Sequence, residues 1–161
     1  MKAIKIIIRN YEMITNDPVD GVSVGMDTDN VFNWNITIIG PKDSPYEGGI
    51  FNATMKFPQN FPMNPPEFKF NKPLFHPNIE DNGKVCISIL HPPGDDEFGY
   101  ENADERWRPV HTVSSIVLSI ISLLSAPNDE SSANVEAGKI WREDRGKFQQ
   151  IVNKCIRNTL E

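Results

Sequence analysis

Only two of the 161 residues are cysteine, Cys86 and Cys155, and neither belongs to a Cys-x-x-Cys or His-x3-His pattern. That scarcity excludes a small domain stapled by disulfides, and each thiol has to be read on its own. Long apolar runs are also lacking. The longest, Ile116 to Leu124, is broken by Ser119 and Ser122 and falls short of the roughly 18 to 20 residues that cross a bilayer. The opening MKAIKIIIRNYEM has too short an apolar part for a secretion signal and no small-residue cleavage site. The expected compartment is therefore the reducing cytoplasm, with no direct membrane insertion. Positive charge is in short supply: 16 Lys and Arg against 22 Asp and Glu leave a formal charge of −6. This removes the phosphate attraction on which nucleic-acid binding depends, so no nucleic-acid partner is expected. There are no repeats or low-complexity segments. A hydrophobic share of 39% and a charged share of 24% are those of an ordinary globular protein, and the length suits one domain over residues 1–161.

What the sequence does have is a change of hydrophobic period along its length. Ile4, Ile7, Ile8 and Tyr11 recur at helical spacing and predict an N-terminal helix ending before Asn16-Asp17-Pro18, with Lys2, Lys5 and Arg9 on its other face. From Val22 to Phe70 the period drops to two, with Trp34, Ile36 and Ile38 and then Phe51, Ala53, Met55 and Phe57 alternating with polar neighbours. Gly40-Pro41, Gly48-Gly49 and the four prolines between Phe57 and Pro66 punctuate these runs. The pattern predicts an antiparallel meander of four strands with one face buried. A helix over His111–Ser125, with Val113, Ile116, Val117, Ile120 and Leu124 as its apolar stripe, is the expected cover. A further helix is expected over Ala133–Arg142. The last one carries Phe148, Ile151, Val152, Cys155 and Ile156 on one face, which makes Cys155 a core thiol. The fold class is α+β: an N-terminal helix, a four-stranded antiparallel meander sheet, a long active-site loop region and C-terminal helices.

The loop region, Pro73 to Pro109, stands out, since structureless stretches of that length in a compact domain tend to be functional. It holds His76-Pro77-Asn78, the lone Cys86, and an acidic stretch beginning Pro92-Pro93-Gly94-Asp95-Asp96 and running on through Glu97, Glu101, Asp104 and Glu105. Cys86, His76 and His91 are conceivable zinc ligands, but no metal-binding spacing accompanies them, and no metal is expected. A cysteine protease would need a histidine to take the thiol proton, and His76, His91 and His111 are all candidates. No spacing certifies any of them.

Taken together, these motifs resemble the ubiquitin-conjugating enzyme family. The residues that carry the likeness are His76-Pro77-Asn78, Cys86 eight residues after the asparagine, Trp107-Arg108-Pro109, the long apolar helix and Pro127-Asn128. Upstream, Gly40-Pro41, Ser44-Pro45-Tyr46, Gly48-Gly49, Phe57-Pro58, Phe61-Pro62 and Pro65-Pro66 follow the family's order, so the likeness covers nearly the whole chain. The run Cys86 to His91 with Gly94-Asp95-Asp96 and Glu105-Arg106-Trp107 is similar to the G-type subclass, whose acidic insertion corresponds to about residues 92–106.

The resemblance implies the ubiquitin-conjugating enzyme fold and an acyltransferase that takes ubiquitin from an activating enzyme as a thioester on Cys86 and passes it to a lysine amine. ATP enters only at the activating enzyme, so no cofactor is expected here. No cation adjoins Cys86, which sits between Val85 and Ile87, so its thiol should be a mild nucleophile. Asn78 offers a neutral amide donor for the tetrahedral oxyanion, or a purely structural loop contact. Asp95, Asp96, His91, Asp129, Glu130 and Ser131 are the expected acceptor-lysine positioning or gating residues, with Ser131 standing where many members place an acid. Lys5, Arg9, Met63, Pro109 and Val110 match the contacts with a RING or U-box ligase or the activating enzyme, and Met63 replaces a more usual phenylalanine or leucine. Ubiquitin, protein substrates, degradation-linked chains and recruitment to the endoplasmic reticulum by a membrane-bound partner complete the implication. A catalytically silent ubiquitin-binding variant and a carrier of a ubiquitin-like modifier remain open as alternatives.

Overall fold

A computed structural model describes residues 2–94, 99 and 101–160, so that Asp95 and Asp96 lie outside the described residues. Strands β1 (Val22–Met26), β2 (Asn33–Ile39), β3 (Ile50–Lys56) and β4 (Glu67–Phe70) form one antiparallel sheet in sequence order, as the alternation predicts. Trp34 of β2 pairs with Met55 of β3, and Met55 with Phe68 of β4, so one buried row crosses three strands. The other face carries Asn35, Thr37, Asn52 and Thr54. There Thr37 Oγ1 donates to Asn52 Oδ1 at 2.9 Å, and Thr54 Oγ1 to Asn71 Oδ1 at 3.0 Å. A slip of one residue would exchange the two faces, so the apolar pattern fixes the register.

Helix α1 spans Lys2–Asn16 and so runs one residue into the Asn16-Asp17-Pro18 signal that was expected to follow it. Its dry face differs from the expected one. Ala3, Ile7, Asn10 and Ile14 are buried, while Ile4 and Ile8 are only half-buried. The physical reason is Asn10, whose Oδ1 accepts the backbone N–H of Val113 at 3.0 Å and whose Nδ2 donates to the Ile6 carbonyl at 3.0 Å. A polar side chain at the centre of the buried stripe is invisible to a hydrophobic pattern. Helix α2 (Val113–Ser125) begins two residues later than expected, because Thr112 is its N-cap and accepts from the Ser115 N–H at 3.2 Å. Its Val113, Ile116, Val117, Ile120 and Leu124 are fully buried in one core with the dry sheet face, each burial contributing about 1.5–3 kcal/mol.

Helix α3 (Val135–Glu143) is capped by Asn134 and α4 (Arg145–Thr159) by Asp144. Trp141 and Phe148 meet edge-to-face with centroids 4.9 Å apart, and Phe75 packs on Phe148 at 5.4 Å, which ties this pair to the loop region. Cys155 is half-buried against the core rather than inside it.

The long loop region is not structureless, which corrects the sequence reading. It contains 3-10 turns at Ser88–Leu90 and Ala103–Glu105, and bridges pair Ile79 with Val85 and Lys69 with Lys84. Among the described residues its backbone bonds run mostly to β4 and within its own turns, in an order that apolar periodicity does not encode.

Candidate active site

Cys86 is presented by a tight reversal of the chain. The Glu80 N–H donates to the Lys84 carbonyl at 2.9 Å, and the Gly83 N–H to the Glu80 carbonyl at 2.8 Å. Gly83 has φ +95°, and a Cβ there would stand 2.2 Å from the Phe70 carbonyl oxygen, so glycine is required twice over. The returning arm is stitched to β4, with Phe70 N–H donating to Gly83 O and Val85 N–H to Phe68 O, both at 2.9 Å. Ile79 and Val85 point into the core, and one step further the Cys86 N–H donates to the Asn78 carbonyl at 2.8 Å. Thiol and asparagine are therefore neighbours across the reversal, eight residues apart in sequence.

Asn78 is 3% exposed and its amide is fully engaged. Its Oδ1 accepts the Asn128 N–H at 3.0 Å, and its Nδ2 donates to the Asn128 carbonyl at 2.8 Å and to the Ser131 carbonyl at 3.3 Å. The Pro77 carbonyl accepts the N–H groups of Ala133 and Asn134, at 2.7 and 3.0 Å, so the whole 128–134 loop hangs on Pro77 and Asn78. His76 stands behind this arrangement, fully buried. Its Nδ1 accepts the Asn78 N–H at 2.9 Å, and its Nε2 pairs with the Leu123 carbonyl at 2.8 Å. A carbonyl can only accept, so Nε2 bears the proton and the ring is neutral. Burial lowers its pKa to about 4, against a smaller upward pull from the Leu123 carbonyl. Both ring nitrogens are occupied, which removes His76 as a protease-type base. His111 packs on Trp107 with ring centroids 5.6 Å apart. Among the described residues there is no group of three His, Cys, Asp or Glu that could hold a metal.

The Cys86 thiol is half-buried at the rim shared by two open grooves. The smaller, about 390 Å³, runs along Pro65, Pro66, Phe68 and Lys84. The larger, about 1080 Å³, is bounded by Asn78, Ser88, His91, Glu101, Glu105, Ser119, Ser122, Glu130 and Ser131. Partial burial is the main cause pushing the thiol pKa up. Glu80 adds to it by charge and as a hydrogen-bond acceptor, while Lys84 pulls the other way. The raised thiol pKa thus comes first from burial and then from Glu80, six positions before the cysteine, against the opposing charge of Lys84.

The structure sorts the remaining expected residues. His91, Glu130 and Ser131 border the larger groove with Cys86 and Asn78. Asp129 does not: its Oδ2 pairs with Arg142 Nη1 at 3.1 Å, on the α3 side of the loop. Asp95 and Asp96 lie outside the described residues. Lys5, Arg9 and Pro109 are exposed, as are Met63 at 60% and Val110 at 73%. These segments are joined, since Trp107 Nε1 donates to the Pro62 carbonyl at 2.8 Å and Asn10 holds Val113. Glu80, Ser88, Glu101, Ser119 and Ser122 are site residues that sequence reasoning missed. Glu80 lies six residues before the cysteine in a reversal whose geometry no pattern announces, and Glu101 is hidden in a general acidic run.

Residues 6–156 match the ubiquitin-conjugating enzyme family. Among individual proteins, the chain is 61% identical over 145 residues to ubiquitin-conjugating enzyme E2 14 of Arabidopsis thaliana, covering 89% of this chain and 87% of that one. It is 49% identical over 158 residues to ubiquitin-conjugating enzyme E2 15 of Schizosaccharomyces pombe, covering 98% and 95% of the two chains. Human ubiquitin-conjugating enzyme E2 G2 is 46% identical over 159 residues, 98% of this chain and 96% of that protein.

Proposed function

The chain belongs to the ubiquitin-conjugating enzyme family, and on that premise we propose that Cys86 accepts ubiquitin as a thioester from an activating enzyme and passes it to a lysine of a protein substrate. The observation that carries this reading is the place of the sulfur: half-exposed, where two grooves meet. A transfer needs two approaches to one carbonyl, one for the chain already attached and one for the incoming amine. A raised thiol pKa also suits a carrier. Attack on an activated thioester needs little thiolate, and a thiol that stays protonated resists stray oxidation.

Asn78 has two parts in this reading. It builds the acceptor wall by holding the 128–131 loop, and of its two donated bonds the one to Ser131, at 3.3 Å, is the weaker and the one an oxyanion would replace. The acceptor amine, with a free pKa near 10.4, is drawn in by Glu130 and by Asp95 and Asp96 of the insertion, with Ser131 at the rim and Asp129 acting only through its hold on Arg142. A RING or U-box ligase docks on Lys5, Arg9, Met63, Pro109 and Val110. The exposed apolar pair Met63 and Val110 beside a basic helix face gives that surface its character. The product is a degradation-linked ubiquitin chain, with ATP used only by the activating enzyme. Likeness to the human G2 protein favours the G-type subclass, and recruitment to the endoplasmic reticulum by a membrane-bound partner belongs to the same proposed reading. No helix among the described residues is long and apolar enough to cross a membrane.

The test is incubation with activating enzyme, ATP and ubiquitin, followed by non-reducing electrophoresis. Wild type should give a thiol-sensitive adduct and Cys86→Ala none. Asn78→Ala should still charge, but discharge to lysine about 10²–10³ slower. An adduct that survives in Cys86→Ala overturns the assignment of the thiol.

A further inference from the structure

We propose, resting on the Cys86 thioester reading, that Glu101 is a positioning residue of the transfer step: it reaches back from the insertion and holds the His91 ring so that its free nitrogen takes a proton from the acceptor lysine. The Glu101 side chain is 17% exposed and grips both ends of the turn that follows the nucleophile. Its Oε2 accepts from the Ser88 hydroxyl, and its two oxygens lie 2.9 and 2.8 Å from His91 Nδ1. Ser88 opens that turn two residues after Cys86, and His91 closes it, its N–H donating to the Ser88 carbonyl at 2.9 Å. Arg106 approaches Glu101 from the far side, with Nε 3.6 Å from Oε1. The insertion is pinched at its neck as well, where the Trp107 N–H donates to the His91 carbonyl at 3.0 Å. A side chain from inside the insertion is therefore tied to the backbone turn that follows the thiol.

The chemistry follows from which atom holds the hydrogen. Burial pushes the Glu101 carboxyl up, but the hydrogen bonds from Ser88 and His91 and the charges of His91 and Arg106 outweigh it and hold the carboxyl below its usual range. An ionised carboxylate has no hydrogen to give, so the one shared with His91 sits on Nδ1. Nδ1 therefore keeps its hydrogen in either charge state of the ring, and in the uncharged form the lone pair is on Nε2, which makes no hydrogen bond among the described residues. The ring is 39% exposed and borders both grooves at whose shared rim Cys86 lies. The other charged side chains bordering those grooves are Glu67 and Lys84 on one side, Glu105 and Glu130 on the other. With Glu101, four carboxylates stand against one ammonium among the described residues, which favours entry of a cationic acceptor.

In the transfer, the acceptor ammonium gives one proton to Nε2 of His91, and its nitrogen attacks the thioester carbonyl. The new C–N bond forms as the C–S bond breaks. The Cys86 thiolate takes the second proton from the amine, and His91 returns the first to solvent.

The experiment compares Glu101→Ala, Glu101→Gln and His91→Ala with wild type in three measurements: charging of Cys86, single-turnover discharge to free lysine over a range of lysine concentrations, and nitrogen NMR shifts of the His91 ring. Glu101→Ala should charge within about twofold of wild type, while its discharge rate at saturating lysine falls about tenfold or more, approaching that of His91→Ala. The His91 ring should show Nδ1 protonated in wild type and revert toward the mixed tautomers of free imidazole in the variant. Glu101→Gln, which keeps an acceptor for Ser88 and Nδ1, should recover most of the rate. Unchanged discharge in Glu101→Ala, an unchanged His91 tautomer, or charging and discharge falling together would overturn the proposal. A wild-type protein that forms no thioester overturns instead the reading on which it rests.

Discussion

Acidification should destabilise this fold through His76, and the size of the effect can be worked from the structure. The neutral ring donates from Nε2 to the Leu123 carbonyl and accepts the Asn78 N–H at Nδ1. A second proton on Nδ1 would face that N–H directly, in a site without water contact. The folded-state pKa of about 4 lies below the roughly 6.5 of a free imidazole. Folding therefore resists protonation: stability is complete above the unfolded value and declines as pH falls from about 6.5 toward the folded value. The full difference is about 3.4 kcal/mol, at 1.36 kcal/mol for each tenfold in proton affinity. Between pH 7.0 and 5.5 the loss assignable to this one ring is about 1.2 kcal/mol. Urea denaturation at several pH values measures the total, and the same series on His76→Asn, which keeps an acceptor near Nδ1, isolates the His76 share. The variant should be weaker at pH 7 but show a pH slope smaller by about 1 kcal/mol across that window. If both proteins lose the same stability between pH 7.0 and 5.5, or if the His76 ring titrates above pH 6 by NMR, the argument fails. Because Nδ1 holds the Asn78 backbone, discharge to lysine should also fall on the acid side before global unfolding sets in.

Three further outcomes follow from single contacts. Glu80→Gln removes a charge that raises the Cys86 pKa, so iodoacetamide should alkylate the thiol faster at pH 7.5, whereas Lys84→Met should slow it; equal rates would dissociate both side chains from the sulfur. Asn10→Ala leaves the buried Val113 N–H without its acceptor and should cost about 1–3 kcal/mol in chemical denaturation, a loss absent from a surface control such as Glu12→Ala. Gly83→Ala forces a side chain into φ +95° and against the Phe70 carbonyl, so it should cost roughly 2–4 kcal/mol and shift the amide resonances of Val85 and Cys86.

The meander, the central helix and the two C-terminal helices were legible because burial follows periodicity: Trp34, Ile36 and Ile38 alternate, and Val113, Ile116, Val117, Ile120 and Leu124 repeat each turn. The face of α1 was misread by one position, since Asn10, the residue at its centre, is buried for its hydrogen bonds and not for its hydrophobicity. Asn78 and Cys86 were singled out by the motif that resembles the family, and their chemistry is the reading proposed above. That the Asn78 amide is committed to the Asn128 and Ser131 carbonyls was not, because those partners lie fifty or more residues further on. Asp129 looked like Glu130 in sequence and differs from it only because Arg142 of α3 comes within 3.1 Å.

By itself, then, the sequence determined the α+β class, the dry sheet face and the stripe of α2, all properties of a residue and its near neighbours, and it singled out the thiol proposed above as the nucleophile. Tertiary structure alone decided which acids border the thiol, which histidine is sealed away and which is exposed at the groove rim, and where Glu101 of the acidic stretch is anchored. Those outcomes depend on through-space distances between segments whose order of approach is set by the packing of the whole core, and no local pattern carries that information.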